Sequence, residues 1–137
     1  MKLKIAALAF LAVLAAGVIT RAEDAPKKPQ RIEASAGEVT QKGEIKGEES
    51  LEYVISAQVG QSLSIVLEAS NRSAHFDVVG PGSETPFYVG AVSGDRFQQN
   101  VRENGDHLVR VYIVRRAARK GESASYSIAF KLSPATQ

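Results

Sequence analysis

The chain has 137 residues, of which 44% are hydrophobic and 23% are charged, and it contains no cysteine. This length and composition predict one globular domain, and the lack of cysteine excludes a disulfide framework and a lipid-modified cysteine. The formal net charge of +2 is distributed unevenly along the chain.

The N-terminal segment has the pattern of a secretory signal peptide. Lys2 and Lys4 precede an uncharged run at 5–19 that ends near small residues, with cleavage preferred after Ala22, which is the order of regions in such signals. The run is shorter than the roughly 20 residues that a membrane-spanning helix needs. We therefore predict a signal peptide at 1–22, no membrane span, and export to a bacterial periplasm or beyond the cell.

The charge that remains after residue 22 has two signs. Residues 23–100 contain 7 basic and 12 acidic side chains, whereas residues 101–137 contain 7 basic and 3 acidic ones. Nucleic-acid binding requires a broadly basic face with interleaved aromatic residues, so this distribution argues against it. A surface of mixed sign instead favours a protein partner with its own mixed field.

Residues 23–36 contain Pro26 and Pro29 and show no regular apolar period, so we predict a loose tether there and a folded domain at 37–137. Apolar and polar residues then alternate along two segments, at 51–55 and at 63–67, which are separated by a turn at Gly60 and Gln61. This alternation predicts two half-buried strands, and their short separation predicts that they pair as a hairpin.

Further strands are predicted, among them segments around Phe76, at 87–92, at 107–113 after the Asn104–Gly105 turn, and at 126–132. About seven to eight short strands at this spacing predict an all-β fold, an antiparallel β-sandwich. The predicted core consists of the apolar residues on one face of these strands: Leu51, Tyr53, Ile55, Leu63, Ile65, Leu67, Phe76, Val78, Val109, Val111, Ile113, Ile128 and Phe130.

Residues suited to catalysis are sparse. His75 and His107 have no second histidine or carboxylate at a metal-ligand spacing. Asp106 and His107 are neighbours, but adjacent residues of a strand point to opposite faces and do not form part of a catalytic triad. Glu48 and Glu49 lie side by side before a strand, as solvent-facing turn residues do. We predict no enzyme activity, no metal site and no cofactor.

The most distinctive segment is the connection between the last two predicted strands. It carries four cations, which are Arg115, Arg116, Arg119 and Lys120. If the connection forms one helical turn, Arg115 and Arg119 lie on the same face and can be presented together. The alternative is a solvated loop without a partner, with the nearby Arg110 paired across strands to Glu52 or Glu68.

Several motifs occur in an order that resembles the periplasmic inhibitors of goose-type lysozyme: GEIKG at 43–47, Tyr53, GQ at 60–61, GPG at 80–82, RVYIVRRAARK at 110–120, and Tyr126. The likeness runs from about residue 43 to residue 132. This chain has Glu48 and Glu49 directly after GEIKG, where that family has an aromatic residue. A similar strand arrangement also occurs in the pre-peptidase C-terminal domains of secreted enzymes.

The resemblance implies a small β-sandwich that inhibits a lysozyme by inserting a loop into its cleft. Arg115 and Arg119 match the family's arginine positions and are implied to meet the acidic cleft, with Arg110, Lys120 and Tyr126 in support. Glu44, Glu48 and Glu49 are implied to face basic residues at the cleft rim. The alternative from another class is a secreted, non-catalytic binding module that recognises envelope polysaccharide or another exported protein.

Overall fold

Two sheets pack face to face in the computed structural model of the chain, which describes residues 28–34 and 37–134. The predicted all-β sandwich is thereby confirmed. The predicted signal peptide and the start of the predicted tether lie outside the described residues. Within the described ranges, no helix is long and apolar enough to cross a membrane.

The elements follow one another as β1 (Gln30–Ile32), β2 (Glu38–Lys46), β3 (Ser50–Ala57), β4 (Ser62–Ala69), β5 (Ala74–Val79), β6 (Pro86–Val89), α1 (Gly90–Ser93), β7 (Arg96–Asn100), β8 (Gly105–Ile113), α2 (Arg115–Arg119) and β9 (Ser123–Ser133). One sheet has the strand order β1-β3-β8-β5-β6 and the other has the order β2-β9-β4-β7. Neighbouring strands are antiparallel except β1 and β3, which are parallel.

The core lies between the sheets and follows the alternation that the sequence shows. Val109, Val111 and Ile113 of β8 are buried, whereas the residues between them are only partly covered, because successive side chains of a strand point to opposite faces. Every predicted core residue is buried except Leu51, which is partly buried and packs against the core. The prediction omitted other buried residues: Ile32, Ile45, Phe97, Val101, His107, Tyr126 and several alanines.

The predicted hairpin of β3 and β4 is wrong. These strands belong to opposite sheets, and β8 and β9, which flank the cationic connection, do so too. Of the eight connections between consecutive strands in the described chain, seven pass from one sheet to the other, and only β5 and β6 pair directly. Alternation along a strand predicts which face of the strand is buried, but it does not predict which of the two sheets the strand joins. In a sandwich, a strand in either sheet buries one face against the other sheet.

Part of the predicted loose tether is ordered. Residues 30–32 form β1, which adds to the edge of the five-stranded sheet beside Tyr53 and Ile55. Ile32 and Ala34 are buried, so burial of apolar surface holds this segment in place. Arg31 adds a bidentate ion pair to Asp106 of β8, with nitrogen–oxygen distances of 2.9 and 3.2 Å.

The Arg31–Asp106 pair gives a testable pH effect. Hydrogen bonds from the guanidinium lower the pKa of Asp106 below its ordinary value of about 3.9. We expect Arg31→Gln to raise the pKa of Asp106 towards that value, as measured by carboxyl-carbon NMR during an acid titration. A pKa that does not change in the variant would show that the pair does not form in solution.

The sign of the accompanying stability effect follows from the lowered pKa. A carboxyl whose pKa is lower in the folded state stabilises the fold at neutral pH, and this contribution is lost as the pH falls through the folded-state pKa. Both side chains are 52% exposed, so solvent screening keeps the contribution small.

Candidate partner-binding surface at one end of the sandwich

Three connections meet at one end of the sandwich. They are the β2–β3 turn at 47–49, the β4–β5 loop at 70–73 and the β8–β9 arch at 114–122. The Gly47 amide donates to the carbonyl oxygen of Glu122 at 2.8 Å, and the Val114 amide donates to that of Ser73 at 2.9 Å. These backbone hydrogen bonds fix the turn and the loop against the arch, and together they form what we call the cationic end.

The arch is anchored by its own short helix. Ala117 and Ala118 of α2 are 5% and 6% exposed and join the core, whereas the three arginines of the helix are exposed. The carbonyl of Ala117 accepts hydrogen bonds from the amides of Lys120 and Glu122. Gly121, with φ of 72°, then turns the chain into β9, in a conformation that favours glycine. The arch is therefore a defined structure rather than a loose loop.

The cations of the arch are exposed and lack an ion-pair partner among residues 28–34 and 37–134. Arg115, Arg116, Arg119 and Lys120 are all exposed, and none forms an ion pair with another residue of the described part of the chain. Residues 115–119 form a helical turn, which is the condition under which Arg115 and Arg119 lie on the same face. At 100° per residue, the two buried alanines leave positions 115, 116 and 119 on the outward side of the helix. This geometry presents three guanidinium groups together.

The fold brings further charged residues to this end that the sequence did not indicate. Lys46 at the end of β2 and Arg72 in the β4–β5 loop are exposed. Glu122 accepts a hydrogen bond from the Asn71 amide at 3.0 Å, which joins the arch to the neighbouring loop. These residues are far apart in the sequence, so only the strand order could have revealed that they cluster.

Glu48 and Glu49 are exposed on the β2–β3 turn, and the hydrogen bond from Gly47 to Glu122 places this turn beside the arch. The cationic end thus carries positive charge on the arch and negative charge on the adjacent turn. Such a pattern suits a partner whose surface has the opposite arrangement.

Arg110 lies within β8 rather than on the arch. Its Nε atom is 3.3 Å from Oε1 of Glu52 on β3, and the register places Asp77 of β5 on its other side. The cross-strand pairing with Glu52, which the sequence left as the alternative, is confirmed. Arg110 is therefore paired with Glu52 on the outer face of the five-stranded sheet, and it is not part of α2, which carries the exposed arginines.

Tyr126 is a core residue near the cationic end. It is 5% exposed, and its hydroxyl lies 2.6 Å from the hydroxyl of Tyr53. Burial is the main cause that raises the pKa of both hydroxyls above their ordinary value. A side chain enclosed in this way supports the scaffold, and a partner reaches it only after the core opens.

These features define the protein as a β-sandwich that presents a charged end built from its connecting loops. No protein-family model matches the sequence, and no curated protein matches it significantly. Solved structures with a similar fold include three inhibitors of g-type lysozyme, each named PliG and each described as periplasmic.

The PliG of Aeromonas hydrophila has a TM-score of 0.69 and 22% sequence identity, and the match covers 77% of this chain and 96% of that one. The PliG of Salmonella Typhimurium has a TM-score of 0.61 and 23% identity, over 78% of this chain and all of that one (100%). A PliG mutant from Escherichia coli has a TM-score of 0.57 and 21% identity, over 77% of this chain and 100% of that one. The resemblance found in the sequence is confirmed at the level of the fold.

Proposed function

We propose that the protein is an exported inhibitor of lysozyme, of the goose type, which acts in the periplasm by inserting the arch into the catalytic cleft. The observation that carries this proposal is the set of cations on α2, which have no ion-pair partner within the described chain and are held outward by two buried alanines. The fold shared with three inhibitors of g-type lysozyme supports it.

The chemistry of the target explains why arginines suit this position. A glycosidase cleaves its substrate with carboxyl groups that lie in a groove made for sugar rings. A guanidinium group binds a carboxylate through two parallel hydrogen bonds, which gives both strength and orientation. Arg115 and Arg119, one helical turn apart, are therefore suited to bind acidic groups in the cleft and to exclude the substrate.

The anchoring of the arch favours tight binding. Association is opposed by the entropy lost when loops and side chains become ordered. Ala117 and Ala118 are buried, and the arch residues on either side of α2, Val114 and Glu122, are hydrogen-bonded to the β4–β5 loop and the β2–β3 turn. The backbone of the arch is therefore ordered before it meets a partner. Only the arginine side chains then lose freedom on binding.

The acidic turn beside the arch has a different proposed role. Glu48 lies at the margin of the cationic end, where charged groups remain in contact with solvent after binding. Charges in such positions change the association rate and its salt dependence more than the final affinity. We expect Glu48→Ala to slow association with lysozyme several-fold at low salt while the dissociation rate is little changed, as measured by surface plasmon resonance.

The test of the proposal is an inhibition assay with the protein lacking residues 1–22. We expect it to suppress goose-type lysozyme on bacterial cell walls at a near-equimolar ratio, with weaker effect on chicken-type and invertebrate-type enzymes as the matched panel. The decisive control uses about a tenfold molar excess of the protein, at a protein concentration well above a micromolar dissociation constant. Full lysozyme activity under these conditions rejects the proposal. Retention of the protein on insoluble peptidoglycan with lysozyme unaffected identifies it instead as a polysaccharide-binding module.

A further inference from the structure

A cavity of about 250 Å³ opens at the opposite end of the sandwich from the arch. Its wall is formed by the β5–β6 turn, the β7–β8 loop and the adjoining strand ends, and it includes Pro81, Phe87, Phe97, Gln99, Glu103 and His107. The arch, the β2–β3 turn and the β4–β5 loop contribute no residue to this wall. The cavity is therefore separate from the proposed inhibitory surface.

One side of the cavity is aromatic. Phe87 is 52% exposed, which is high for a phenylalanine, and its ring meets that of Phe97 edge-on, with the centroids 5.8 Å apart and the planes at 63°. An exposed aromatic face at the mouth of a cavity is a typical binding platform.

The other side of the cavity contains an unusual buried polar group. His107 is 4% exposed, and among the buried residues of the described chain it is the one that is polar rather than hydrophobic. Its Nδ1 atom lies 3.1 Å from the carbonyl oxygen of Gly105. Because a carbonyl only accepts, Nδ1 carries a proton, and in the neutral imidazole Nε2 is then an acceptor.

The Nε2 atom faces solvent through the cavity. No hydrogen bond joins it to another residue of the described chain, yet the same residues include no fully buried side-chain nitrogen or oxygen without a partner. Nε2 must therefore be reachable by solvent, and the cavity is the space that His107 borders. A polar residue placed among apolar core residues, with its remaining acceptor open to a cavity, is suited to receive a hydrogen bond from a ligand.

The remaining polar residues define the class of ligand. Arg102 and Glu103 supply opposite charges to the wall, so the cavity favours a neutral molecule. The Glu103 carboxylate and the Phe87 ring both border the space beside Gly80, since each lies 3.8 Å from the Cβ position that an alanine at 80 would have. Gln99 adds an amide, which both donates and accepts. A ligand that satisfies these groups needs several hydroxyls and one apolar face.

We propose that this cavity binds a neutral pyranose sugar. The apolar face of the ring would stack on Phe87, and its hydroxyls would bond to His107 Nε2 and to the Gln99 and Glu103 side chains. The volume of about 250 Å³ is below the roughly 300–1,000 Å³ of pockets for drug-sized ligands, and so suits a single sugar residue. This proposal does not depend on lysozyme inhibition.

The test is an NMR titration of the protein lacking residues 1–22 with N-acetylglucosamine and, in a second arm, with methyl β-glucopyranoside. The chain has 2 histidines, so the ring signals of His107 are read against those of His75, which lies outside the cavity wall. We expect saturable shifts of the His107 ring signals with a dissociation constant on the order of 1 mM for a ligand of this size, and no shift at His75.

A matched pair of variants tests the platform. Phe87→Ala should weaken sugar binding about fivefold or more, whereas Val92→Ala, which removes an 85% exposed side chain outside the cavity wall, should leave it unchanged. Neither variant should alter lysozyme inhibition. Absence of saturable shifts with both sugars overturns the proposal, and so does equal binding of benzyl alcohol, which would identify the cavity as a simple apolar site.

Discussion

Replacing both Arg115 and Arg119 with alanine is expected to weaken lysozyme inhibition by about 30-fold or more. Truncation of a desolvated arginine at the centre of an interface costs about 2 kcal/mol or more, and each 1.4 kcal/mol is tenfold in affinity. Both side chains are exposed in the free protein and have no ion-pair partner within the described chain. The midpoint of thermal unfolding should therefore remain nearly unchanged. The inhibition constant and the melting curve are the two measurements.

A second double variant controls for the loss of charge. The double variant Arg96→Ala with Arg102→Ala also removes two positive charges. These charges lie at exposed positions on β7 and the β7–β8 loop, away from the arch. We expect it to inhibit almost as well as the unaltered protein. Equal weakening by the two double variants would show that inhibition depends on net charge and not on the arch. A large loss of stability in the arch variant would show that its arginines are structural.

A large loss of stability is expected from Gly43→Ala. Gly43 of β2 lies directly opposite Tyr126 of β9, and an added Cβ would be 2.5 Å from the Tyr126 hydroxyl oxygen and 2.6 Å from the ring carbon that bears it. Tyr126 cannot move aside without breaking its hydrogen bond to Tyr53 inside the core. We expect a loss of about 2–3 kcal/mol in the free energy of unfolding, from overpacking together with an unsatisfied hydroxyl, as measured by urea denaturation.

Two comparisons isolate the collision. Gly80→Ala adds a Cβ whose nearest contacts are ordinary ones at 3.8 Å, so it should change stability by less than about 1 kcal/mol. In a Tyr126→Leu background, which lacks the outer ring atoms, Gly43→Ala should cost less than half as much. Additive losses in that double variant would mean that Gly43 is needed for another reason, because residues in contact show coupling and independent ones do not.

The strand positions could be predicted well from the sequence because the physical signal is local. Leu63, Ile65 and Leu67 alternate with polar or less buried neighbours, and all three are buried. The pairing of the strands could not be predicted in the same way. The short Gly60–Gln61 turn indicated a hairpin, but four residues at 58–61 are also enough to cross the distance of about 10 Å between packed sheets.

The candidate site was predictable to a similar extent. The cluster of Arg115, Arg119 and Lys120 is contiguous in the sequence, and its exposure agrees with the expectation. Arg72, by contrast, joins the cationic end through the strand order alone. The sequence did not indicate a ligand-binding role for His107, because alternation along β8 predicts an apolar residue at its position. The cavity that His107 borders is visible only in the structure.

The place of the last strand has a consequence for biogenesis. β9 lies between β2 and β4 and pairs with both of them, so the four-stranded sheet cannot assemble until the C-terminal residues have left the ribosome. Pairings between such distant segments form slowly, since a long loop must close before any contact rewards it. Every residue up to Ser133 must therefore be synthesised before this sheet, and the core that it covers, can form.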